Sequence, residues 1–136
     1  MHWTRFLLAV VLSGLAATFT DWLFMGALFH KKYIATPEIW RIKPGESDTR
    51  SIMLSSLLGV MSSAVFLFFC TWAGIIFSHR ATLYTSLLLW VAAPVPIIFS
   101  NIVWIKMHPL LGVSHSLGWL ARFVVTGMIG NWLIHY

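Results

Sequence analysis

Charge is scarce in this chain. Only 10% of its 136 residues are charged, and just four of those are acidic. A soluble domain carries charge on about a quarter of its residues, so a water-exposed globule is excluded. Cysteine is almost absent. Cys70 stands alone, which rules out an intramolecular disulfide and leaves a lone thiol in an apolar run, where packing is its ordinary role. Tight metal-ligand spacing is missing as well. None of the six histidines pairs with another in an HxxxH arrangement, so neither a metal nor any other cofactor is expected. Of these, His108 and His115 come closest. They are seven residues apart on one helix face, about 10 Å along the axis and too far for one ion.

What is present is hydrophobic residue, 59% of the chain, with a mean hydropathy of +0.83. Apolar runs of about 20 residues are long enough to cross a bilayer, and backbone groups in lipid must be satisfied within their own segment, which demands helices. The expectation is an all-α, single-domain, four-span bundle. The spans run over about 6–29, 52–77, 83–105 and 110–134. The start, "MHWTRFLLAVVLSGLAAT", has the charge and apolar stretch of a signal peptide. Its apolar run continues through "DWLFMGALF", however, and is read as a span.

Between the first two spans, "TPEIWRIK" opens with a capping threonine, Thr36, and a proline suited to a first helical turn, Pro37. Ile39, Trp40 and Ile42 alternate with Glu38, Arg41 and Lys43, which predicts a short helix lying on the membrane surface. Glu46, Ser47 and Asp48 suit the start of the second span. The remaining connections, "SHRA" and "KMHP", are short and predict antiparallel neighbours.

The net charge of +5 does not indicate nucleic acid, because five of the nine Lys and Arg residues fall in one loop between positions 31 and 50. Such loops set topology and touch anionic lipid. Lys31, Lys32, Arg41, Lys43, Arg50 and Lys106 lie on one side, and only Arg5 and Arg80 on the other. Six against two places the basic loops in the cytoplasm and both termini outside.

Two full charges fall inside spans: Asp21 and Arg122. Counted from the cytoplasmic ends of their spans, they lie about 14 Å and about 17 Å deep, near the middle of a core about 30 Å thick. An isolated charge there costs at least about 2.5–3.5 kcal/mol. Opposite signs at a shared depth predict an Asp21–Arg122 ion pair that sets spans one and four side by side. Its role is either to fix which helices meet or to bind an ion, proton or polar headgroup. Thr18 is placed to donate to the carboxylate. His115 and Trp119 share a stripe with Arg122 on span four. Ser55, Gly59, Ser62 and Ser63 form a small-residue stripe suited to close helix packing. Pro94 and Pro96 predict a break in span three that leaves the carbonyls near Trp90 and Ala92 without amide donors. Trp3, Trp40, Trp104 and Trp132 read as interfacial anchors. Trp22, Trp90 and Trp119 are deeper, as packing or as an aromatic box for an organic cation.

The run "GLAATFTDWLFMGALFHKKY", followed by "EIW" in the first loop, resembles a family of small bacterial four-helix membrane proteins catalogued as domain of unknown function 1761. The resemblance implies the four-span fold and carries no activity. Three functions of different class remain. One is a non-enzymatic bundle that self-assembles or serves as a subunit of a larger membrane complex, with membrane lipid as its other partner. Another is a small proton- or ion-coupled transporter or channel working through Asp21. Four spans with a carboxylate in the first are similar to the small multidrug exporters, whose glutamate is unpaired; Arg122 is a departure from that pattern. The last is a membrane enzyme acting on a lipid or quinone, with Arg122 gripping an anionic group and His115 as acid or base. The first is the reading preferred here.

The orientation is directly testable. Reporter fusions at Tyr136 and within residues 41–45 are expected to give outside and cytoplasmic signals respectively; the reverse pattern would overturn the positive-residue argument.

Overall fold

A computed structural model describes residues 2–39 and 45–135. All regular structure among them is helical. The helices are α1 (Trp3–Asp21), α2 (His30–Ile34), α3 (Thr49–Trp72), α4 (His79–Ala92), α5 (Pro94–Trp104) and α6 (Pro109–His135). Four helical stretches have the length and composition to cross a membrane: Trp3–Leu28, Thr49–Trp72, His79–Trp104 and Pro109–Ile134. The protein is therefore a small four-span membrane protein.

Span one is not uniformly α-helical. From Trp22 to Leu28 it widens into a π-helix, with the Phe29 amide bonded to the Phe24 carbonyl, five residues back, at 3.0 Å. Periodicity does not reveal this change of winding. Span two is shorter at its far end than expected. Gly74 takes a left-handed φ of 70° and ends α3 there, a conformation that suits glycine. Residues Ile75–Phe77 form a separate 3-10 turn. Span three breaks at Ala93 (φ −126°, ψ −68°), where Pro94 and Pro96 enter the first turn of α5. Proline has no amide donor, so α4 ends on the Ala93–Leu89 bond at 3.0 Å and a new helix begins.

The first loop differs from its expected form. Thr36 bonds back to the Lys32 carbonyl at 3.2 Å and so closes α2 rather than capping a new helix. Pro37–Ile39 make a single 3-10 turn. The rest of the expected surface helix, with Trp40, Arg41, Ile42 and Lys43, lies outside the described residues. Asp48 occupies the position before α3 without a side-chain cap; Ser47 and Thr49 bond to each other instead, at 3.1 Å.

The organising element is α6. It packs against α1, α3, α4 and α5, and α1 also packs on α3. Span three thus joins the bundle chiefly through α6. The reason is visible in the sequence of α6: Ser114, Gly118, Arg122, Thr126 and Gly130 recur every fourth residue, and all are buried. Rows at this spacing are the ridges along which helices interlock, and small side chains let backbones approach. A Cβ added at Gly112 would meet Ile98 Cγ2 at 3.3 Å, so α5 lies close against α6 there. Polar side chains tie the neighbours to the same helix. Ser63 and Thr126 hydroxyls meet at 3.3 Å. Ser86 Oγ, which donates to the Thr82 carbonyl of its own helix at 2.9 Å, also lies 3.3 Å from the Phe123 carbonyl. Trp90 Nε1 donates to the Ser116 carbonyl at 2.8 Å and to its hydroxyl at 3.1 Å. Asn131 Nδ2 donates to the Ile76 carbonyl at 2.6 Å. Bonds of this kind between helices in lipid are worth about 0.6 kcal/mol each on average.

The apolar core lies toward the termini. Phe6, Ala9 and Val10 of α1 pack with Phe66, Leu67, Cys70 and Ile76. Cys70 is fully buried within it, a packing position. The other half of the bundle, toward the first loop, holds the charged site.

Gly130 tests the close packing on α6. A Cβ there would stand 2.9 Å from Ile76 Cδ1 and closer still to Leu67, both fully buried. Gly130→Val is expected to cost about 1–3 kcal/mol, read as a lowered unfolding midpoint in lipid discs. An unchanged midpoint would contradict the arrangement of α6 against α3.

Candidate functional site

Asp21 is the last residue of α1, at the point where the chain passes into the π-helix. Arg122 lies midway along α6 and is 7% exposed. Arg122 Nη2 bonds to Asp21 Oδ2, forming an ion pair between spans one and four. Nη1 reaches Ser62 Oγ of α3 at 3.4 Å. The guanidinium also lies against the Trp119 ring, 4.5 Å from its centroid, in a cation–π arrangement. The pair therefore occupies the junction of α1, α3 and α6.

Two glycines shape that junction. A Cβ at Gly59 would stand 3.3 Å from Arg122 Nη2; this is where the α3 backbone admits the guanidinium. A Cβ at Gly118 would stand 3.7 Å from Asp21 Oδ1, so the carboxylate lies over bare backbone on α6. The pair is not saturated. Arg122 Nε is buried without a partner among the described residues, and the side chain of Asp21 keeps 24% of its surface exposed.

That exposed edge faces a cleft of about 470 Å³. Asp21, Arg122 and Trp119 line it together with Trp22, His115 and Ser55, and Thr18, Met25, Ile52, Ser56 and Leu58 complete the wall. Several wall residues, including Trp22, Ile52, Ser55 and Leu58, are exposed on the outer surface of the bundle. The cleft therefore opens sideways, between α1 and α3, in the half of the span nearer the first loop.

Thr18 lines the cleft but donates to the Gly14 carbonyl of its own helix at 3.0 Å, not to Asp21. A threonine in a helix finds the carbonyl four residues back at no entropic cost, and that local acceptor takes the proton. His115 stacks edge-on against Tyr33, with ring centroids 5.8 Å apart. Tyr33 donates to Ser114 Oγ at 3.5 Å, and burial pushes its phenol above the usual range. Within the small-residue stripe, Gly59 and Ser63 are buried at helix contacts, Ser62 touches Arg122 while bonding the Gly59 carbonyl at 2.9 Å, and Ser55 is exposed on the cleft. Of the deep tryptophans, Trp22 and Trp119 line the cleft, whereas Trp90 is engaged by Ser116 and is not part of its wall. Pro94 and Pro96 stand at the break in span three, not in the cleft wall.

Among the described residues no group of three or more metal-ligating side chains converges. His108 caps the start of α6, accepting from the Leu110 amide through Nδ1 at 3.1 Å.

The sequence pattern of a family described as "Protein of unknown function (DUF1761)" matches residues 8–130. The chain belongs to the DUF1761 family. No curated protein and no solved structure matches it. The DUF1761 match spans Asp21, Arg122 and every residue lining the cleft.

Sequence reasoning passed over Thr126, Ser86, Ser116 and Asn131. For Thr126 the signal was present in the every-fourth-residue series from Ser114 to Gly130 on α6; Ser86, Ser116 and Asn131 lie outside that series. A count restricted to charged residues misses it.

Proposed function

We propose that this DUF1761 protein is a non-enzymatic membrane component, a self-assembling scaffold or a subunit of a larger membrane complex, with the Asp21–Arg122 pair as the lock between α1 and α6. It resides in a bacterial inner membrane with its basic loops cytoplasmic and both termini outside. The observation that carries the reading is the internal use of the charges. Arg122 is nearly buried, and its guanidinium is taken up by Asp21, Ser62 and Trp119 on three sides. A charge so engaged fixes helix register, the best-attested use of a buried polar pair. Span three is where the assembly half of the reading places its contact. It packs mainly on α6 and presents Leu83, Leu88, Val91, Ile97 and Val103 outward, a face available to a second copy or a larger complex.

A second reading, a small transporter or channel working through Asp21, draws on one specific observation: the open edge of the Asp21 carboxylate on the cleft. Arg122 opposes it, because the guanidinium already occupies the carboxylate and repels a second cation.

A charge-removal cycle tests the lock. Asp21→Asn and Arg122→Leu each leave one buried group unpaired and are expected to lower stability by about 3–5 kcal/mol, with much of that recovered in the double variant. Additive losses would overturn the lock. A harmless Asp21→Asn would favour the transporter reading. Native mass measurement directly from membranes tests assembly: an oligomer or a co-extracted subunit is expected, and a lone monomer would contradict it.

A further inference from the structure

The cleft beside the pair has a wall too varied for a packing defect and too open for a core cavity. Its chemistry restricts what can enter. The Asp21–Arg122 pair is neutral as a unit. A charged headgroup would restore a net charge in a low-dielectric region, at the cost the pair exists to avoid. The guest is therefore neutral. The accessible polar edge belongs to the Asp21 carboxylate, and the Arg122 Nε–H, without a partner among the described residues, is buried behind it. A neutral guest that meets the open carboxylate edge must donate to it, as a hydroxyl does.

The remaining wall sets the shape. Trp22, exposed at the cleft, offers an indole that favours a flat, unsaturated ring, while the Trp119 ring is engaged by the Arg122 guanidinium. Ile52, Leu58 and Met25 make the rim apolar where it meets the bilayer, so a hydrocarbon tail leaves without crossing polar ground. Small Ser55 and Ser56 keep the entrance wide.

We infer that this cleft is a lateral binding site for a neutral, ring-headed, hydroxyl-bearing amphiphile of the quinol or phenolic-lipid class, entering from the bilayer between α1 and α3. The ring hydroxyl donates to Asp21 and the ring lies against Trp22. No chemical step is implied. The site rests on the same ion pair as the proposed lock and adds a ligand to it.

The experiment uses the full chain in lipid discs of zwitterionic lipid, with a short-tailed benzoquinol as probe and empty discs as the reference. Saturable uptake above the empty discs is expected. The corresponding benzoquinone lacks donor hydroxyls and is expected to bind about tenfold more weakly, the change set by one hydrogen bond to a charged group. Ser55→Phe fills the entrance from an exposed position and leaves the pair untouched. It should abolish saturable uptake while folded yield stays at the wild-type level. Uptake no greater than in empty discs, equal binding of quinol and quinone, or uptake unaffected by Ser55→Phe would each overturn the site. So would preferential uptake of dodecylammonium or laurate, which would mark the cleft as a charge site. None of these results bears on the lock, which the charge-removal cycle decides separately.

Discussion

A carboxylate and a guanidinium in the interior of a four-span bundle impose a single requirement: they must find each other. Left apart, each costs several kcal/mol in the low-dielectric core. Together they must be brought to one depth by two helices that are distant in sequence, Asp21 on the first span and Arg122 on the last. The arrangement of α1, α3 and α6 follows from that contact. Gly59 yields space to the guanidinium, Ser62 accepts from it, Trp119 covers its face, and Gly118 leaves room for the carboxylate. The π-helix that begins at Trp22 directly follows the charged residue. Such turns recur where a helix must redirect a functional side chain.

The bundle is divided along its length. Near the termini it is an apolar core of Phe6, Val10, Phe66, Leu67 and Ile76, held by ordinary packing. Toward the first loop it is a polar junction with an open side. Both halves are assembled on α6, whose buried ridge from Ser114 to Gly130 seats the other helices in turn. This explains how a chain with a proline-broken third span holds together: α4 and α5 each dock on a continuous α6 and need little from one another beyond the Ala93 corner.

The four spans were legible in the sequence because hydrocarbon thickness and backbone satisfaction leave no other solution for runs of such composition. The break at Pro94 was equally legible, since the missing amide is covalent. Depth arithmetic set Asp21 and Arg122 at one level, but depth alone does not say which way a side chain points. Other features were hidden for definite reasons. The choice of Thr18 for its own backbone over Asp21 is a competition between two nearby acceptors, and spacing does not decide it. The π winding of residues 22–28 changes which face each side chain occupies without altering composition. The end of α3 at Gly74 looked like one more small residue in an apolar run, and only its left-handed φ marks it as a stop.

The contact between Asp21 and Arg122 is measurable without perturbing it. Asp21 and Asp48 are the only aspartates in the chain, so carboxylate-labelled aspartate combined with guanidinium-labelled arginine gives a sparse dipolar-recoupling experiment in bilayers. The account predicts a strong carbon–nitrogen coupling from Arg122, assigned by its loss in Arg122→Lys, at a separation set by a charge-assisted N···O distance of about 2.7–2.9 Å. A well-folded sample in which the Asp21 carboxylate shows no coupling to any guanidinium would contradict the account at its centre.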